Sequence, residues 1–277
     1  ANLPASDRGP ARVWYGSAAA SEYHDMDWLT AHVAPDEDVQ IKSLTNDQTI
    51  LVLAGPKSRD VLQAVSRDDW SKEAFPWLSV RECFIGFAPA TVMGVSFSGE
   101  LAYEIHVPNA SLYAAYLALR DAGKAHGLRL FGARAVDSMR LEKGFLHWKA
   151  DLITEFTPYE TGLDRFVRPQ KTDFVGKDAL AMRHADGPRK RLVTLKIDAT
   201  HAPAYGGGSL MLEGRVVGTI TSGDWGHRIG ANIAYAFVEP DLAAVGSQMQ
   251  LDHLGELVGA EVIAPSPYDP AFDRMRS

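Results

Sequence analysis

Cysteine is almost missing from this 277-residue chain: Cys83 is the only one. Its scarcity excludes an internal disulfide and a cysteine-built zinc site. Set in the apolar stretch Arg81 to Phe87, Cys83 reads as a core residue, and a reducing cytoplasm is the expected compartment. No apolar run approaches bilayer length, and the first residues lack a basic region followed by an apolar one, so no membrane association is expected. Positive charge is not in excess either. With 28 Lys and Arg against 35 Asp and Glu, the net charge is −7, and no basic stripe interleaves with aromatics. Nucleic acid is therefore not an expected partner.

Several chemical signatures are also missing. Gly206-Gly-Gly208 is not followed by the Lys-Ser/Thr of a phosphate loop, and Ser17, Ser98 and Ser222 lack a nucleophile elbow. His24-Asp25-Met26-Asp27 has no second ligand cluster and falls in the first turn of a helix, where acids suit the dipole, so no metal site is expected.

What the chain does have is regular patterning. Hydrophobic residues make up 46% and charged residues 23%, an ordinary globular balance with ample material for a core. Strands are expected at Arg12 to Tyr15, Val39 to Leu44, Thr49 to Leu53, Arg81 to Phe87, Ala90 to Phe97 and Leu101 to Val107, the last two joined by Ser98-Gly99-Glu100. Helices are expected from Ser21 to about Val33, Lys57 to Val65 and Ala110 to Ala122, and a further helix runs from Gly132 to its closing glycine, Gly144. Arg168 to Arg191 is rich in Lys, Arg, Asp, Gly and Pro, with a short helix near Lys177 to His184. Beyond it, Leu192 to Ile197, Ser209 to Leu212, Arg215 to Thr221, Ile233 to Val238 and Glu261 to Ile263 are short strands between Gly and Pro turns. The fold class is α+β: mainly antiparallel sheets with helices over residues 1–168, a connector over 169–190, and a small C-terminal β-barrel over 191–277.

Two charges stand where the local pattern does not require them. On the strand Leu101 to Val107, Leu101, Tyr103, Ile105 and Val107 share one face, and Ala102, Glu104 and His106 the other. Glu104 is either a solvated strand carboxylate or a two-oxygen acceptor for a planar edge bearing two donors, as on a pterin. Arg134, early in its helix, either pairs with Asp137 or Ser138 along the surface or offers a donor fork and a flat face to a ring. Arg140 and Glu142 read as surface or interdomain ion-pair partners. Trp225, His227 and Arg228 lie on a glycine-bounded loop that is either a tight hairpin connection or the rim of a cleft.

Six segments in order resemble the folate-binding aminomethyltransferase family of the glycine cleavage T-protein: Tyr15-Gly-Ser-Ala-Ala-Ala with His24-Asp-Met-Asp-Trp28, Val52-Leu-Ala-Gly-Pro-Lys-Ser-Arg59, Ser98-Gly-Glu-Leu-Ala-Tyr-Glu104, Gly132-Ala-Arg with Met139-Arg-Leu-Glu-Lys-Gly144, Pro158-Tyr-Glu-Thr-Gly162, and Gly218-Thr-Ile-Thr-Ser-Gly223. The likeness is to the version fused to flavin-dependent dimethylglycine and sarcosine dehydrogenases. The resemblance implies that Glu104 anchors the pterin of tetrahydrofolate and that Arg134 lies in the same cleft. It also implies that Phe97 keeps an aromatic wall where many members carry tyrosine, that Phe145 and Trp148 line the cleft, and that Arg228 approaches the acidic tail of folate.

The implied activity is one-carbon transfer. A flavin (FAD) held in a missing N-terminal region or partner would oxidise an N-methyl amino acid, and tetrahydrofolate would capture the one-carbon unit. The expected partners are folate, the N-methyl amine-derived substrate and a flavoprotein domain or subunit, with homo-oligomers possible. Alternative readings are a stand-alone folate-dependent aminomethyltransferase or demethylase, or a non-catalytic folate-binding or interaction module. Residues 1 to 16 do not match the family's further N-terminal segment, which carries a catalytic aspartate. The catalytic residue is accordingly unknown from sequence, and weak or no folate binding is expected of these 277 residues alone.

Overall fold

The computed structural model describes residues 1–5 and 9–277. The chain forms two compact units, one of residues 1–130 with 272–277 and one of residues 131–271.

In the first unit, β1 (Asn2–Leu3) pairs with β2 (Arg12–Val13), and α1 (Glu22–Ala31) follows. The sheet is built from β3 (Gln48–Ala54), β4 (Val80–Ile85), β5 (Ala88–Met93) and β6 (Ala102–Pro108), all antiparallel in the order β3-β6-β5-β4. Helices α2 (Ser58–Val65) and α3 (Leu112–Gly123) pack into the same core, with Trp70 and Phe75 from the connection between α2 and β4. Period-2 alternation on β6 sends Tyr103, Ile105 and Val107 into that core, each no more than 1% exposed, together with Val92, Ile85, Leu62 and Ala115. Arg59, early in α2, donates to the carbonyl of Trp70 and, at 2.9 Å, to that of Ser277. The opposite face of the sheet carries Ile50, Val52, Thr91, Met93, Glu104 and His106, and Ile50 and Val52 are half exposed.

The second unit begins with α4 (Ala133–Lys143), which ends at Gly144 in a left-handed conformation, and continues to α5 (Lys177–Asp186). Strands β7 (Arg191–Ile197), β8 (Ser209–Leu212), β9 (Arg215–Gly226), β10 (Ala231–Val238), β11 (Gln248–His253) and β12 (Glu256–Ile263) close into a barrel in the order β10-β7-β12-β11-β8-β9. Leu195, Leu210, Ile220, Ala236, Leu251 and Val262 fill it. The alternate residues of β10, Ile233 and Tyr235, point outward and pack with Leu141 of α4. Burial raises the Tyr235 phenol well above its ordinary range, and its O–H donates to the Leu141 carbonyl at 2.7 Å.

Several sequence expectations differ from this structure. Val39 to Leu44 is not a strand, because its alternation meets no neighbouring strand and leaves Val39 55% exposed. Strand β11 was not anticipated, since Gln248, Gln250 and Asp252 dilute the apolar signal of Met249 and Leu251. Strand β9 runs past Thr221 to Gly226, so Trp225 lies within it, and residues 227–230 form a tight hairpin connection. Of the two settings expected for Arg140 and Glu142, the surface one is not found: both are buried as ion-pair partners, of Asp151 and Arg228. By contact, residues 131–168 group with the barrel, where the sequence reading put them with the first domain.

Candidate functional site

The open sheet face of the first unit carries the candidate carboxylate, Glu104. Glu104 is held on β6 between two strands, opposite Val52 of β3 and Met93 of β5. Its side chain keeps 37% of its surface. His106, two residues on and therefore on the same face, approaches with Nε2 at 3.5 Å from Oε2. Trp14 meets that imidazole edge-on at 5.2 Å, and Arg12 pairs with Glu82 at 2.9 Å on the same face. Apolar neighbours surround one accessible carboxylate, an environment suited to a flat ring that offers donors along one edge. Phe97, also in this unit and 39% exposed, follows β5 ahead of the Ser98-Gly99-Glu100 turn.

The remaining expected residues belong to the second unit. Arg134 is exposed in the first turn of α4, and the closing turn leads to half-buried Phe145 and to Trp148, 39% exposed. Arg228 has a different setting from the one expected. Its guanidinium binds the Glu142 carboxylate through Nε, donates to the Met139 carbonyl at 2.7 Å, and lies 3.8 Å over the Tyr268 ring. The Glu142 carboxylate also accepts the backbone N–H of Arg228 at 2.6 Å and of Ile229 at 3.1 Å. These bonds tie the β9–β10 hairpin to α4.

Sequence reasoning missed the ionic network of this unit. Asp151 is fully buried and accepts from Arg140 at 2.6 Å, from the His147 backbone N–H at 2.8 Å, and from the hydroxyls of Thr221 at 2.5 Å and Ser222 at 2.6 Å. Arg140 also donates to Ser222 at 2.9 Å. Lys143, equally buried, donates to the Asp269 carboxylate at 2.9 Å. With every oxygen engaged, Asp151 is a structural carboxylate and not a proton acceptor. Its only sequence signal is the pair Arg140 and Ser222, one on each of two distant motifs.

In the first unit, Asp25 pairs with His24 at 2.9 Å and accepts from Ser17. These two hydrogen bonds, Ser17 first, hold its exposed carboxyl below the ordinary range. Among the described residues, no group of three or more His, Cys, Asp or Glu is placed to hold a metal ion.

A mixed antiparallel unit followed by a closed six-stranded barrel defines the class as an aminomethyltransferase-type fold. The crystal structure of the glycine cleavage system aminomethyltransferase T from Bartonella henselae matches it with a TM-score of 0.80 at 23% identity, over 91% of this chain and 67% of that one. Residues 5–171 match the GCVT N-terminal domain model, and residues 190–269 match the glycine cleavage T-protein C-terminal barrel domain. The chain belongs to the glycine cleavage T-protein family.

Among its relatives, mitochondrial dimethylglycine dehydrogenase of Homo sapiens is 34% identical over 265 residues, covering 95% of this chain and 31% of that protein. Mitochondrial sarcosine dehydrogenase of Mus musculus is 35% identical over 246 residues, covering 86% and 27%. An aminomethyltransferase of Saccharopolyspora erythraea is 33% identical over 224 residues, covering 80% and 60%. The chain thus spans about a third of the length of the dehydrogenases it matches.

Proposed function

We propose that this chain is the tetrahydrofolate-binding, one-carbon transfer module of a larger FAD-dependent dehydrogenase acting on an N-methyl amino acid of the dimethylglycine or sarcosine type. The observation that carries the reading is Glu104: an accessible carboxylate flanked on the neighbouring strands by apolar Val52 and Met93. The pterin of tetrahydrofolate fits that environment chemically, with a flat ring for the apolar neighbours and an amino group beside a ring N–H for the carboxylate. The likeness to dimethylglycine and sarcosine dehydrogenases supports the substrate class.

Tetrahydrofolate supplies the nitrogens that take up the one-carbon unit, and flavin oxidation of the amine belongs to a portion outside these residues. The role of this chain's Glu104 is to orient the ring, which contributes to rate by fixing geometry and not by moving a proton. Titration of tetrahydrofolate into the full-length protein tests the reading. Glu104→Gln is expected to raise Kd at least tenfold, about 1.4 kcal/mol, because one charge-assisted contact is lost. An unchanged Kd would remove Glu104 from the site.

A further inference from the structure

The proposed function leaves one buried titratable group on this sheet face unused. The His106 side chain is 8% exposed, and among the described residues its Nε2 has no hydrogen-bond partner. Buried nitrogens without partners are rare, and leaving one unsatisfied is costly. The nearest acidic oxygen is Glu104 Oε2, whose separation of 3.5 Å is within ion-pair range but long for a hydrogen bond.

The two side chains differ in freedom. His106 lies between Ile50 and Thr91 of the adjoining strands, and Trp14 packs edge-on against its ring. Glu104 is more than a third exposed and can rotate. A small turn of the carboxylate toward the fixed imidazole closes the gap to the roughly 2.8 Å of a charge-assisted bond. The register also brings two other charges near this ring: Glu82, opposite Thr91, and Arg12, which already pairs with Glu82 at 2.9 Å. With Glu82 so occupied, Glu104 is the carboxylate left for the imidazole.

We propose that His106 is the positioning residue for Glu104: its Nε2–H fixes one carboxylate oxygen and the plane of the carboxylate, so that the remaining lone pairs meet a two-donor ligand edge. This inference rests on Glu104 being the pterin anchor. An ionised carboxylate has about four acceptor sites, so one bond to His106 leaves room for both ligand donors.

The test is tetrahydrofolate titration into the full-length protein, using the parent, His106→Leu, His106→Gln, Glu104→Gln and the His106→Leu/Glu104→Gln double variant. His106→Leu is expected to weaken binding about fivefold near neutral pH, while its thermal midpoint is held or raised. His106→Gln, which keeps a donor at this position, is expected to restore the parent affinity. In the Glu104→Gln background, His106→Leu is expected to have no further effect.

A parent-like Kd for both His106 variants overturns the proposal, as does an equal His106→Leu effect with and without Glu104. If Glu104→Gln itself binds like the parent, the anchor reading fails and this inference fails with it. Should His106→Leu not fold, His106→Ala takes its place, alone and in the Glu104→Gln background, with the same outcomes deciding.

Discussion

At the scale of single residues, the second unit concentrates its charges where burial makes them matter. Asp151 and Arg140 are paired, and both oxygens of Asp151 are engaged, so removing one partner leaves the other buried without its counter-charge. Asp151→Ala is expected to cost about 3–5 kcal/mol in denaturant unfolding. Asp137→Ala, whose carboxylate is 45% exposed and 3.6 Å from Arg140 Nε, is expected to cost at most about 1 kcal/mol. Comparable losses would show that burial does not set the difference.

Glu160 gives a pH-dependent counterpart. Burial pushes its carboxyl up, but N–H and O–H donation from Thr157 and the backbone N–H of Arg189 outweigh it, and the net effect is downward. A carboxyl lowered on folding contributes stability that is complete above its unfolded value of about 4.3 and is lost as pH falls through the folded value. The stability difference between parent and Glu160→Gln is therefore expected to be largest at neutral pH and to shrink in acid. A difference that does not change with pH would count against this account. None of these networks was legible in the sequence, because Arg140, Asp151 and Ser222 meet only through the fold.

Elements were read better than networks, and the reason is local. The alternation of β6 and the glycine closing α4 are encoded within a few residues of themselves, so both were anticipated within a residue or so. Val39 to Leu44 shows the limit: alternation makes a strand only where another strand lies beside it. Of the site, the face carrying Glu104 followed from the same alternation, whereas the engagement of Arg228 by Glu142 required the tertiary structure. Gly144 illustrates an element boundary set by two constraints at once. Its φ is 79°, and a Cβ there would lie 2.5 Å from the Pro265 carbonyl oxygen. Gly144→Ala is expected to destabilise by more than about 1 kcal/mol, measurable as a fall in Tm. An unchanged Tm would mean that the turn after α4 relaxes freely.

At the scale of the whole molecule, the chain has two cores, one between sheet and helices and one inside the barrel, and it covers about a third of the dehydrogenases it resembles. Glu104 and Phe97 lie in the first unit, while Arg134, Phe145 and Trp148 lie in the second. The edge-on packing of Trp14 against His106 gives this division an optical use. Trp14 in the first unit and partly exposed Trp148 in the second are two built-in dyes, one on each candidate wall. A bound reduced pterin absorbs in the near ultraviolet and quenches the indole it touches. If the ring rests on the Glu104 face, Trp14→Phe is expected to remove most of the ligand-induced loss of emission, and Trp148→Phe much less. The reverse ranking would place the pterin beside Trp148, so a fluorimeter can tell which unit holds the ring.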